Sequence, residues 1–451
     1  MRQKTLLPAL LAAIASGLFP AAALELPAEG AQAASGITAA APGTPETLEE
    51  AADAAAAGSL PLRSAHELTE AARANLEAAR GRRLPTVTLS ANHLRLDREL
   101  GMNVSLFGFS ASVPITDDKT TGFAASAALP LFTGGRITKT IEAGEAGAKS
   151  AELTEAASRS DIRLKAAELF ISVKEARALL SAARIHETAL EAHLARAKAR
   201  FRKGMAVKNE VYAAEAALET ARDGTITADT AVKTAESAYN RLLGRPLDSP
   251  VSLAPLPEPA VTDTLAELTE KAVRSSSRLG SISEKARAAR ATSVAEKAGL
   301  LPQASLVGGW VRQNSQYLNQ GHRSGWVAGV VLTWNVFDGG IRSSLARSSE
   351  RTAAALTAAR DEEESVLRLA VRTAWLKWEE TESRKRAADA SLRSAEENLR
   401  VSERRFETGL ALHTEVLDAE SLREAAQARL VRAEGERQRA YYRLRRLANT
   451  I

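Results

Sequence analysis

Two rhythms of apolar residues alternate along the chain. Over most of its length alanine and leucine recur at mixed spacings of three and four, as in "LFISVKEARALLSAARIHETALEAHL" from Leu169, the mark of amphipathic helices that pack closely. Between Leu84 and Phe132, and again between Leu301 and Phe337, the period drops to two. In "WVAGVVLTWNVF" the residues Trp326, Ala328, Val330, Leu332 and Trp334 fall on one side of an extended strand, and Val327, Gly329, Val331, Thr333 and Asn335 on the other. "TVTLSAN" and "GFAASAALPLF" alternate in the same way, while "QASLVGGWVRQN" is less regular.

The two rhythms occur twice in the same order. "TLEEAADAAAAGSLPLRSAHELTE" from Thr47 aligns without a gap with "TLAELTEKAVRSSSRLGSISEKAR" from Thr264, an offset of 217 residues. Phe132 then matches Phe337, and Gly204 matches Gly409, at an offset of 205. The first copy therefore carries about 12 extra residues, in or beside "DRELGMNVSLFGFSASVP", where a loop tolerates insertion. Each copy reads helix, two strands, long helix, turn, helix. The first spans 47–246, with a hairpin over about 85–133 and a long helix over 137–203. The second spans 264–451, with a hairpin over about 302–338 and a long helix over 341–408. No glycine or proline interrupts 341–408, which as one helix extends about 100 Å. The flanking helices, 48–84 and 206–243, are each close to half that length, so two short rods can lie beside one long one. A Pro-rich link, 247–263, separates the copies and is expected to order only in part.

The strands ask for a membrane. Trp326 and Trp334 lie about 26 Å apart along an extended strand, near the height of the apolar band that aromatic girdles bracket in outer-membrane barrels, and Trp310 belongs to the same girdle. Open strand edges are not tolerated in lipid, and four strands are too few to close, so other copies must complete the wall. Two copies supply eight strands with a filled interior; three supply twelve and leave room for a pore. At the strand ends "LPLFTGG" and "WNVFDGG" place the pairs Gly134-Gly135 and Gly339-Gly340 where each strand turns sharply into a long helix. Thr133 and Asp338 precede them as candidate helix caps. Gly204 and Gly409 fall where each long helix reverses, and the turns that follow carry Met205, Ala206, Val207 and Leu410, Ala411, Leu412, either packed within the turn or facing outward.

Composition narrows the class. Aromatic residues make up 4% of the chain, which favours rods of helix over a bulky globular core. The net charge of +5 is small and its charges are interleaved, so no nucleic-acid partner is indicated. The chain has no cysteine, which excludes disulfides, thiolate metal sites and a lipidated N-terminal cysteine. Arg2 and Lys4 precede an apolar run too short to span a bilayer, and Ala21–Ala23 supply a cleavage site, so 1–23 reads as a secretory signal peptide followed by a flexible lead-in, 24–46. No His-Glu-x-x-His, Walker A loop or nucleophile elbow occurs, and the six histidines are scattered, so neither an enzyme, a cofactor nor a metal site is expected. The acidic run Asp361–Glu364 reads as a solvated helix face.

In its order of motifs the chain resembles the TolC-like outer-membrane efflux protein family: two tandem copies, Leu-Pro before each hairpin, "PLFTGGR" and "VFDGGIR" after it, "RFRKGMAVKNEVYAAE" and "RFETGLALHTEVLDAE" at the helix turns, and "LLGRPL" closing the first copy. The resemblance implies an α+β membrane protein, a homotrimer whose twelve-stranded β-barrel, four strands per chain, continues into a long periplasmic α-helical coiled-coil barrel. It implies docking to a periplasmic adaptor and, through it, to an inner-membrane pump of RND, ABC or MFS type, with the hairpin tips as adaptor contacts. It also implies that Glu210, Glu415 and Asp418 line a constricted periplasmic entrance as acidic rings. The chain departs from the family pattern at Ala411, where relatives carry a basic residue that helps close that entrance. The alternative reading is a structural periplasmic coiled-coil protein with soluble hairpins and no pore.

Overall fold

A computed structural model describes residues 45–97, 100–106, 109–116, 119–314 and 323–449; the signal peptide and nearly all of the lead-in lie outside them. Helices α1 (Leu48–Gly58) and α2 (Leu60–Gly81) lead into strands β1 (Thr86–Arg95), β2 (Leu100–Leu106), β3 (Phe109–Thr116) and β4 (Lys119–Phe132). Helices α3 (Arg136–Arg202) and α4 (Lys208–Leu242) complete the first copy. The second runs α5 (Leu265–Ser275), α6 (Ser277–Ala298), β5 (Gln303–Asn314), β6 (Arg323–Thr333), α7 (Ile341–Glu407) and α8 (His413–Leu447).

The short rod before each hairpin is two helices rather than the one continuous helix its periodicity predicts. Ser59 and Ser276 take extended backbone angles, and each side-chain oxygen accepts from an amide of the next turn, Leu62 at 3.4 Å and Leu279 at 3.2 Å. Such a cap starts a new helix, and Pro61 suits its first turn. Gly58 sits at the first break, where a Cβ would lie 2.7 Å from the carbonyl oxygen of Leu243. Both copies open on the same capping box, Thr47 with Glu50 and Thr264 with Glu267.

The extra residues of the first copy are not a plain loop. They include β2 and β3, which pair antiparallel with each other as a separate ribbon, from Leu106 opposite Phe109 to Leu100 opposite Thr116. The main sheet is antiparallel in the order β1-β4-β5-β6, so β4 and β5 join the two copies and β1 and β6 are its edges.

Helices α3 and α4 pack as one antiparallel hairpin and α7 and α8 as another, while α2 and α6 lie along the strand-proximal parts of the long helices. The tightest core lies midway: Ala51, Ala55, Ala166, Phe170, Val173, Tyr239 and Leu243 are buried together. Alanine dominates because it lets helix axes approach closely. The Pro-rich link is ordered against this core. Glu46 and Leu253 form a parallel bridge, the Glu46 amide donates to Ser252 O at 2.9 Å, and Val251, Leu253 and Leu256 cover the cluster. Glu46 is itself buried, held by Arg245 at 2.7 Å and by the Tyr239 hydroxyl at 2.8 Å, so its charge is compensated.

Candidate functional site

The register of the main sheet sorts its side chains. One face carries Val87 and Leu89 of β1, Phe123, Ala125 and Leu129 of β4, Leu306 and Trp310 of β5, and Trp326, Val330 and Leu332 of β6. The other carries Thr88, Ser90 and Asn92, then Gly122 and Ser126, then Ser305 and Gly309, then Gly325 and Gly329, with Val307, Val327 and Val331 among them. The irregular strand thus falls into line: Leu306 is flanked by Leu129 and Val330, and Trp310 lies directly opposite Trp326. Leu89 is 79% and Trp326 81% exposed, so this apolar face has no cover among the described residues. An apolar surface of four strands is far larger than soluble monomers leave in water. Toward the tip the face turns polar, with His93 hydrogen-bonded to Thr121 at 2.8 Å and Arg312 opposite Phe123. Trp334 follows the end of β6 at the opposite end, where its indole donates to Leu300 O at 3.0 Å.

The corners have the backbone that paired glycines permit. Gly134, Gly135, Gly339 and Gly340 all have φ between 63 and 87°. Asp338 caps the helix beyond its corner, with Oδ1 accepting from the Gly340 amide at 2.9 Å and Oδ2 from Arg342 at 3.0 Å. Thr133 does the same more weakly, accepting from Ile137 at 3.5 Å.

At the far end each long helix closes in a Schellman turn. Met205 N donates to Arg200 O and Gly204 N to Phe201 O, both at 2.9 Å; Leu410 N donates to Arg405 O at 2.7 Å and Gly409 N to Phe406 O at 3.0 Å. Gly204 and Gly409 take φ of 71 and 77°. Met205, Val207, Leu410 and Leu412 face outward and are 63–72% exposed, whereas Ala206 and Ala411 are half-buried. Of the acidic residues, Asp418 is exposed and Glu210 half-buried. Glu415 is engaged: its carboxylate accepts from the Leu412 amide and from Arg405, each at 3.2 Å. Arg405, on the helix before the turn, thus neutralises a carboxylate on the helix after it.

Three of the histidines that are scattered in sequence converge just above the tips. His193 of α3 and His413 of α8 are buried with ring centroids 6.0 Å apart, and His186 approaches the buried Glu420 at 3.3 Å. Burial raises the Glu420 carboxyl, but hydrogen bonds from His186 and Arg423 outweigh it and leave the group well below the usual carboxylate range. Sequence spacing puts His186 and His193 on α3 and His413 and Glu420 on α8, each pair seven residues apart, but could not reveal that the two helices bring them together. Three members of the acidic run Asp361–Glu364 are held in ion pairs: Asp361 with Arg360, Glu363 with Arg278, and Glu364 with Arg360 and Arg368, both of which reach Glu364 at 2.9 Å. Among the described residues no group of three or more His, Asp or Glu side chains is placed to hold a metal ion, and no helix is long and apolar enough to cross a membrane, which says nothing of strands.

Comparison with known proteins agrees with this geometry. The family model for outer membrane efflux proteins matches residues 51–245 and 268–450. A membrane protein from Pseudomonas aeruginosa has the same fold at a TM-score of 0.76 and 21% identity, over 89% of this chain and 93% of that one. The outer membrane protein VceC of Vibrio cholerae gives a TM-score of 0.74 at 16% identity, over 89% of this chain and 95% of that one. The outer membrane channel MtrE of Neisseria gonorrhoeae, in its open state, gives 0.71 at 19% identity, over 89% and 88%. A search of curated protein sequences finds no match. The uncovered apolar strand face, glycine corners and paired long helices accord with that match, and the chain belongs to the outer membrane efflux protein family, which places it in the outer membrane of a Gram-negative bacterium.

Proposed function

We propose that three copies close a twelve-stranded barrel and a helical tunnel beneath it, forming a passive duct from periplasm to exterior. The carrying observation is the sheet: one face apolar and the other rich in Ser, Thr and Gly, the apolar face uncovered and both edges unpaired among the described residues, and each hairpin run directly into a 67-residue helix. An edge in lipid leaves backbone groups unsatisfied, so the barrel must close, and twelve strands leave a lumen where eight do not. Trp310 and Trp326 mark one interface and Trp334 the other. The outward residues of the tips, Met205, Val207, Leu410 and Leu412, are the contact for the helical hairpins of a periplasmic adaptor, which couples the duct to an inner-membrane pump of RND, ABC or MFS type. Glu210, Glu415 and Asp418 form acidic rings at the periplasmic entrance. Energy comes from the pump; this chain supplies the water path.

The test is purification from outer membranes followed by planar-bilayer recording. The expected result is a detergent-dependent trimer giving discrete conductance steps. A monomer soluble without detergent and silent in bilayers would leave the structural coiled-coil protein as the reading.

A further inference from the structure

The two hairpins of the main sheet are one hairpin built twice. Thr86 lies opposite Ala128 in the first and Gln303 opposite Thr333 in the second, and the sequence offsets of 217 and 205 carry one pair onto the other without slip. The junction between copies inside the chain is β4–β5, where Ala128 faces Val307 and Leu129 faces Leu306. The same two offsets convert that junction into one the single chain lacks, between β6 and the β1 of another copy. Resting on the trimeric reading above, we infer that this junction is antiparallel in one fixed register: Leu332 opposite Ala91 of the neighbouring copy, Thr333 opposite its Ser90, and Trp334 opposite its Leu89.

Three observations outside the strand register support it. First, β4, paired on both sides, runs to Phe132, whereas β6, paired on one, stops at Thr333, short of the equivalent Phe337. A missing partner explains the missing residues. Second, Gly134 packs so closely that a Cβ would lie 2.8 Å from Ala298 O and 2.9 Å from Leu301, while its twin Gly339 meets nothing within 4 Å. The equivalents of Ala298 and Leu301 are Gly81, also in open space, and Leu84, 64% exposed. Each empty corner has its complement waiting at the opposite edge.

Third, the helices beneath continue the match. Arg287 of α6 lies 3.9 Å from Glu142 of α3. The equivalent positions across the missing junction are Glu70 and Arg347, with signs exchanged on both sides and attraction kept. Arg278 and Asp161, 3.6 Å apart, become Pro61 and Val366, a charged contact replaced by two exposed apolar residues. Such a head-to-tail interface, with different surfaces on its two sides, closes as a ring under rotation.

Because the chain has no cysteine, introduced thiols are its only ones. The double variants Leu332→Cys with Ala91→Cys and Thr333→Cys with Ser90→Cys are adjacent pairs, so one of the two falls at the closer Cα spacing that antiparallel strands offer in alternation. Leu332→Cys with Leu89→Cys reports a two-residue slip on the same face. After oxidation of detergent-solubilised trimers, the expected result is covalent dimer and trimer on denaturing gels for at least one inferred pair, several-fold above the slipped pair, with single-cysteine variants remaining monomeric. Preferential linking of the slipped pair, or no linking in a sample whose native mass is trimeric, overturns the register and leaves the trimer standing. A monomeric native mass for the unmodified protein overturns the trimer and the inference together.

Discussion

His193 and His413 are the residues on which acidity acts most directly. Each is 3% exposed; both ring nitrogens of His413 lack a partner, and an Arg196 nitrogen stands 3.0 Å from Nδ1 of His193. The charged groups around the pair are Arg196 and Arg200 on α3, Glu210 on α4, Glu403 on α7 and Glu420 on α8. Burial, reinforced by Arg196, pushes His193 down to about 4; burial also lowers His413, against the pull of Glu210. Both rings are therefore neutral in the folded protein at neutral pH, whereas in the unfolded chain they titrate near 6.5. The stability linked to them is complete above about pH 6.5 and is lost as pH falls through the folded value near 4, amounting to on the order of 3 kcal/mol for His193 at full protonation. Between pH 7 and 4.5 the thermal midpoint of the native protein is expected to fall more steeply than that of His193→Gln with His413→Gln. Parallel curves would remove the histidines from the acid response. Nothing in the sequence announces this pair, since 220 positions separate the two rings and only the approach of α8 to α3 joins them.

At the scale of elements, local chemistry predicts a difference between the two corners. Asp338 accepts from two amides with a charged carboxylate, while Thr133 accepts from one at the limit of hydrogen-bond length. Asp338→Ala is expected to cost about 1–2 kcal/mol and Thr133→Ala clearly less, read as shifts in the thermal midpoint of the detergent-solubilised protein. The reverse order would show that the corners are held by packing alone. The four strands of the main sheet, the long helices and the glycine corners were legible because each repeats one period or one special backbone angle over enough residues to outweigh alternatives. The breaks at Ser59 and Ser276 were not. A single cap hydrogen bond competes there with an uninterrupted helical pattern, although Gly58 and Pro61 on either side were a signal in the first copy. The β2–β3 ribbon was hidden for a similar reason: its strands are short and carry no glycine corner of their own.

For the whole molecule, the proposed duct takes the charge of its entrance from the carboxylates at the tips. Arg405 already answers Glu415, whereas Asp418 is exposed. The double change Glu415→Gln with Asp418→Asn is expected to reduce cation preference in single-channel recordings under a salt gradient, with Asp418→Asn alone accounting for most of the effect. Unchanged reversal potentials would place the selective charges elsewhere. The resemblance singled out these carboxylates but did not show that one is tied back across the turn, because Arg405 and Glu415 meet only once the hairpin is closed. The two copies also differ in what they can tolerate. Their helices match in length, 67 residues in α3 and α7 and 35 in α4 and α8, whereas their hairpins differ by a whole ribbon. One heptad inserted into α7 alone would carry its tip about 10 Å beyond its twin, so size changes in the rods must come to both halves of the gene in step, while the outer loops are free to drift apart.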